Sequence, residues 1–260
     1  MIQNPVVECL INHKSIRKFL DKEVPEEIVV EILHAGTRAA TGGNLQCYSF
    51  IVVDDPEVKD KLNRYDKYHN LSEIPLIIIA LVDTYRLKRW FEVNNSQYPY
   101  VNEPLGFFIA NWDALIALQN VSIAAESTGL GTFYNGNVLE YDIYEVLKAP
   151  EYTFPAGMLC VGYPDQNSNL SIRLPINAIV HKNEYRRFSD DDIKSFYEER
   201  EKIWESVPQK KKEELKQENI FNIPQAVAKQ KFNKDFTLLK SKRICEILKK
   251  SGFNFEKYFK

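Results

Sequence analysis

Five consecutive residues, His13-Lys14-Ser15-Ile16-Arg17, put an imidazole, an ammonium, a hydroxyl and a guanidinium into one short segment. The planar fork of Arg17 suits bidentate contact with a phosphate, although a basic surface turn has the same composition. A second cluster, Thr41-Gly42-Gly43-Asn44-Leu45-Gln46, offers two carboxamides. Each both donates and accepts, which matches the mixed edge of a planar heterocycle; an ordinary glycine-asparagine turn reads the same way. The third cluster is Tyr134-Asn135-Gly136-Asn137, where glycine lets the backbone approach a flat ligand. The fourth is Asn169-Leu170-Ser171-Ile172-Arg173-Leu174-Pro175, in which Arg173 is either a second phosphate ligand or an exposed loop arginine.

Other chemistries lack support. Gly129-Leu130-Gly131 opens like the dinucleotide fingerprint, but Tyr134 stands where its third glycine must allow close helix and strand packing. There is no G-x-x-x-x-G-K-[ST], H-E-x-x-H or G-x-S-x-G, and the four histidines are far apart in sequence. Cys9, Cys47, Cys160 and Cys245 never form C-x-x-C, which removes the zinc-knuckle and dithiol readings and fits a reduced, intracellular chain.

The clusters lie at the ends of apolar elements, where ligand sites are commonly built. Residues 24–40 space Ile28, Ile32, Leu33 and Ala39 along a helical stripe that ends before Gly42-Gly43. Residues 48–53 read as a strand, 57–63 as a short helix and 74–82 as a buried strand. Residues 106–128 form a long helix, apolar nearly all round, stopping at Gly129. A strand near Thr132, a helix near 141–147 and a strand at 158–162 follow. Between Asp83 and Gly106 runs an aromatic-rich stretch, read as a loop, with Tyr85, Trp90, Phe91, Tyr98 and Tyr100; its rings either stack on a substrate or pack a dimer surface. Ser189 before three aspartates starts a helix, residues 198–216 continue as a charged exposed helical stretch, and a final helix spans 236–250. Without a flexible linker before it, this tail is an appendage of one domain.

The 260 residues are 44% hydrophobic, 27% charged and 12% aromatic, which excludes disorder, collagen and coiled coil. Lysine plus arginine total 34 against 36 acids, so no global attraction to nucleic acid or anionic lipid is expected. The charge is uneven: residues 190–260 carry 17 basic and 13 acidic side chains, the rest 17 and 23. Glu8 interrupts the early apolar stretch, no cleavage site follows it, and the longest apolar run, 74–82, is too short to cross a bilayer; a cytoplasmic location with no membrane partner is expected.

In this order and spacing the clusters resemble the FMN-dependent nitroreductase and flavin reductase family. The likeness runs from His13-Lys14-Ser15-Ile16-Arg17-Lys18-Phe19 and Val24-Pro25 through Gly43-Asn44-Leu45-Gln46, Ala124-Ala125-Glu126-Ser127 and Gly129-Leu130-Gly131 to Gly162-Tyr163-Pro164, Arg173-Leu174-Pro175 and Val180-His181. His13 and the Arg-Leu-Pro loop look most like the NADPH-preferring oxygen-insensitive nitroreductases. The resemblance implies an α+β fold, a central mostly antiparallel sheet wrapped by helices, in an intertwined homodimer with FMN at the subunit interface. It implies an FMN-binding core over residues 1–189 and a helical C-terminal extension over 190–260, packed on the core or on the partner subunit.

By the same resemblance, His13, Lys14, Ser15, Arg17 and Arg173 hold the FMN phosphate. Ser171 stands where the subgroup usually has a lysine, and Lys14 is placed to compensate. Thr41, Asn44, Gln46 and Tyr68 lie near the ring system, and Tyr134, Asn135, Gly136 and Asn137 pass beside it, with the Gly136 amide near N5. No side chain is assigned a catalytic role and no metal is expected. The implied reaction is ping-pong: NADPH or NADH reduces FMN, then a small-molecule acceptor such as a nitroaromatic, a quinone or a flavin is reduced. Lys229, Lys231, Lys240, Lys242 and Arg243 are candidates for a 2′-phosphate. A non-catalytic flavin-binding protein or an interaction protein of the same fold is the alternative.

Overall fold

Residues 3–140 and 143–258 are described in a computed structural model. The helices are α1 (Pro5–Ile11), α2 (Glu26–Thr37), α3 (Pro56–Asn63), α4 (Tyr85–Val93), α5 (Pro104–Ser127), α6 (Ile143–Val146), α7 (Asp190–Glu205), α8 (Gln209–Gln217), α9 (Ile223–Ala226) and α10 (Lys234–Lys250). The strands are β1 (Tyr48–Val53), β2 (Leu76–Asp83), β3 (Gly131–Tyr134) and β4 (Thr153–Gly162). They form one sheet in the order β1-β2-β4-β3, and every pairing is antiparallel.

Strand alternation assigns the side chains to two layers. Ile77 and Ile79 of β2, Phe133 of β3 and Met158 and Cys160 of β4 face Leu62 of α3 and Leu71. Leu76, Ile78, Ala80, Leu159 and Val161 face the other way, onto Ile32 of α2 and Ala114, Ala117, Leu118 and Val121 of α5. β2 is therefore buried on both faces, and its unbroken apolar sequence follows from that. β4 begins five residues before the expected start because Pro155 is tolerated there: β3 pairs only with residues 159–162, and a bulge at Ala80/Leu81 loosens the β2 side. α5 is long and apolar enough to cross a membrane by length and composition, yet Ala114, Ala117, Leu118 and Val121 pack on the sheet.

Three expectations need correction. α1 was not anticipated; Asn4 caps it by accepting from Val6 N and Val7 N, with Pro5 at its start. The aromatic stretch after Asp83 is not all loop, since residues 85–93 form α4. Leu87 is buried, Phe91 packs beside it one turn on, and Lys88 and Arg89 both pair with Glu92. The charged stretch at 198–216 breaks at Ser206-Val207-Pro208, where proline cannot continue the helical ladder. The helix expected at 141–147 lies partly outside the described residues, and α6 is its described part.

The chain divides into two compact units, one built from residues up to 169 together with those from 243 onward, the other from 170–242. The first contains the sheet and a third apolar cluster in which Phe253, 1% exposed, meets Phe107 at a ring distance of 5.0 Å. The second contains α7, closed by a capping box between Ser189 and Asp192, and α8 and α9. α10 begins in the second unit and ends in the first.

Candidate functional site

Residues 13–17 run alongside β3. Ser15 bridges Thr132 in parallel, and Ile16 N donates to Thr132 O at 2.8 Å. Ile16 lies over Gly131, where a Cβ would come within 2.7 Å of the Ile16 Cβ, so only glycine lets the segment approach. His13 Nδ1 is 2.8 Å from Glu126 Oε1, and Thr132 Oγ1 donates to the same oxygen at 2.5 Å. Arg17 N and Lys18 N both donate to Gln166 Oε1, at 3.0 and 2.8 Å, and the Arg17 guanidinium lies 5.9 Å from the Phe133 ring centre. Alternation turns Lys14 and Ile16 toward an open cleft of about 810 Å³ lined also by Glu8, Cys9 and Glu126. Among the described residues no carboxylate pairs with Lys14 or Arg17, and alternation places Arg17 on the face of the segment opposite Lys14.

The 41–46 cluster follows α2 as a single tight turn, with Gly43, Asn44 and Gln46 all left-handed at φ of 58, 57 and 53°. Asp113, buried in the middle of α5, spans it: Gly42 N donates to Oδ1 at 2.9 Å and Cys47 N to Oδ2 at 3.2 Å. Burial raises the Asp113 pKa, and the two amide bonds oppose that rise. Cys47 is pushed up to about 11, first by burial and then by the Asp113 charge. Arg86 Nη2 donates to Gln46 O at 2.5 Å and Tyr48 O at 3.0 Å.

The third cluster is tied to the segment holding Tyr68 by one carboxylate. Asp66, whose side chain is fully buried, accepts from Asn135 Nδ2 at 2.6 Å, Asn137 Nδ2 at 3.1 Å, Tyr68 N at 2.8 Å and His69 N at 3.1 Å. His69 Nδ1 stands 3.4 Å from Asp66 Oδ2, outside hydrogen-bonding geometry, with its ring against Phe133. Asn135, 2% exposed, is thus turned inward, whereas the Tyr68 side chain is 71% exposed. Tyr134 donates its hydroxyl to Gln119 Oε1 at 3.2 Å, and burial followed by the Glu126 charge raises its phenol pKa. A Cβ built on Gly136 meets nothing within 4 Å, so open space lies beside that backbone.

Ser171 and Arg173 belong to the second unit and are exposed there. Of the tail cations, Lys229 Nζ caps the carbonyls of Glu218 and Asn219, Lys231 and Lys240 lie over Phe232 and Phe236, and Arg243 pairs with Glu246 at 3.7 Å. The sequence reading gave no role to Glu126, Asp113, Asp66, Gln166 or Arg86. Only Asp113 carries a clear signal, as a carboxylate in the apolar middle of a helix whose other acid, Glu126, lies in its last turn.

An antiparallel sheet buried between helical layers, with a basic segment alongside β3 and a carboxamide-glycine loop following it, defines the class of nitroreductase-like folds. The Nitroreductase family profile matches residues 10–163, and the chain belongs to that family. It is 34% identical over 192 residues to the FMN reductase (NADPH) of Bacillus subtilis, covering 72% of this chain and 77% of that one. It is 32% identical over 211 residues to the NADPH-dependent oxidoreductase of Staphylococcus haemolyticus, covering 75% and 84%. The structure of the NADPH:FMN oxidoreductase from Vibrio harveyi complexed with NAD+ superimposes with a TM-score of 0.77 at 27% identity, covering 96% of this chain and 98% of that one.

Proposed function

We propose that the protein is an FMN-dependent oxidoreductase that uses NADPH, or NADH, to reduce small acceptors such as nitroaromatics, quinones or flavins. The observation that carries this reading is the parallel alignment of residues 13–17 along β3, which brings Arg17, without a carboxylate partner among the described residues, to the strand end that leads into the open Gly136 backbone. A flat ligand bearing a phosphate needs both. His13, Lys14, Ser15 and Arg17 would hold the phosphate, Thr41, Asn44, Gln46 and Tyr68 would border the ring, and the Gly136 amide would face it. Asn135 and Asn137 would serve by fixing that loop on Asp66. Ser171, Arg173 and the extension's cations enter through the relatives, which are NADPH-dependent by name.

FMN, when bound, supplies the group that accepts and passes on hydride. The chain's part is placement: cations to hold the phosphate, carboxamides to set the ring, and no side chain in the role of nucleophile. Reductant and acceptor would use one site in turn, so the kinetics would be ping-pong. One face of α5 leaves Leu105, Phe108, Trp112 and Ile116 exposed at helical spacing, which supports a homodimer. The division into an FMN-binding core over 1–189 and an extension over 190–260, and a cytoplasmic location, belong to the same reading.

The test is direct. Purified protein should be yellow or take up added FMN, and NADPH under anaerobic conditions should bleach it; colourless protein that fails to bind FMN removes the reading. Parallel double-reciprocal plots would support ping-pong order, and intersecting plots would exclude it.

A further inference from the structure

We propose that Asp113 and Arg86 are positioning residues for the bound flavin ring, acting as a two-charge clamp on the backbone of residues 42–47. The proposal rests on the reading that Thr41, Asn44 and Gln46 border that ring. Asp113 is a carboxylate 3% exposed in a helix that otherwise packs apolar surface, and burying a charge there is costly. Its two oxygens are spent on the two ends of one loop, Gly42 N and Cys47 N. Arg86 works on the opposite polarity, taking Gln46 O and Tyr48 O. Asp83 orients it: Arg86 N donates to Asp83 Oδ1 at 2.9 Å, its Nε lies 3.8 Å from Oδ2, and Ser49 donates its hydroxyl to the same carboxylate.

Between these anchors the chain holds Gln46 left-handed, a conformation costly for its side chain, and Asn44 likewise, where asparagine tolerates it best. The α2–β1 connection carries that cost at Gln46. It dictates where the two carboxamides stand before any ligand arrives, so the cost of ordering them falls on folding and not on binding. Asparagine at position 113 would keep the size of the side chain but set its amide donor against one of the two N–H groups.

The experiment compares wild type with Asp113→Asn, Asp113→Glu and Arg86→Ala. Three quantities are read: FMN Kd, amide exchange at residues 42–47 in the FMN-free protein, and the midpoint potential of bound FMN. A wild type that does not bind FMN overturns the flavin reading, and the clamp with it. Where wild type binds, the expected result is a rise in Kd of about tenfold for Asp113→Asn and Arg86→Ala, the weight of one charge-assisted hydrogen bond. Exchange at 42–47 should quicken and the potential should move, while Asp113→Glu, which keeps two acceptors, recovers part of the loss. Unchanged Kd and potential in folded variants overturn the clamp and leave the flavin reading standing. If Asp113→Asn does not fold, Arg86→Ala, at a side chain 55% exposed, decides by the same measurements.

Discussion

His13 and Glu126, 113 positions apart, meet at 2.8 Å between Nδ1 and Oε1. The contact fixes the imidazole plane and leaves Nε2 as the nitrogen for a further partner. It also joins the basic segment to the last turn of the core helix and so holds that segment rigid. Replacing Glu126 by alanine should weaken FMN binding, and the cycle with His13→Ala should return a coupling of about 1 kcal/mol. Titration by flavin fluorescence measures it; additive effects would mean that the two residues act separately.

Arg17 has no carboxylate partner among the described residues, and its backbone is already held by Gln166. Its removal should therefore leave the segment in place and act on the ligand alone. Arg17→Ala should raise the FMN Kd by about tenfold or more with the unfolding midpoint unchanged, and Arg17→Lys should recover only part, lacking the bidentate fork. Equal affinity in the alanine variant would remove this arginine from the phosphate site.

Gly131 is needed for the approach of Ile16. Gly131→Ala should push residues 13–17 off β3, costing about 1–3 kcal/mol as overpacking does. Urea unfolding reads the cost and FMN titration reads the displacement. A stable variant with full affinity would show that the segment tolerates the shift.

Alkaline stability should depend on Cys47. Its pKa rises from 9.0 in the unfolded chain to about 11 when folded, so the folded state keeps a proton that the unfolded chain has lost. The contribution is complete below pH 9 and disappears as pH climbs to 11. Unfolding free energy should fall over that window in wild type and fall less in Cys47→Ala; parallel curves would refute the assignment. Alkylation at pH 8 should reach the exposed Cys245 before the buried Cys47.

β2 was legible because it is buried on both faces and reads as an unbroken apolar run, and β1 because residues 48–53 are β-branched and aromatic and closed by Asp54-Asp55-Pro56. α5 was legible because it is long and apolar nearly all round and stops at Gly129. α4 was not, because a helix that exposes Tyr85 and Trp90 while burying Leu87 looks in sequence like an aromatic loop. The polar clusters were visible as motifs, but of the three acids that hold the first three of them only Asp113 left a local signal. Glu126, Asp113 and Asp66 act on partners 113, 71 and 69 positions away, and no local pattern encodes such distances.

α10 starts in one compact unit and finishes in the other, and Phe253 beyond it lies in the core of the first. In terms of connectivity, the compact unit of residues 170–242 meets the first unit at two junctions along the chain. A stop codon placed after residue 189 would therefore delete more than the second unit: it would strip Ile247 and Phe253 from the cluster around Phe107. Shortening or exchanging the segment would require an excision that rejoins the chain near residues 169 and 243, so recombination at two points, rather than loss of an end, is the route by which a relative could gain or lose it.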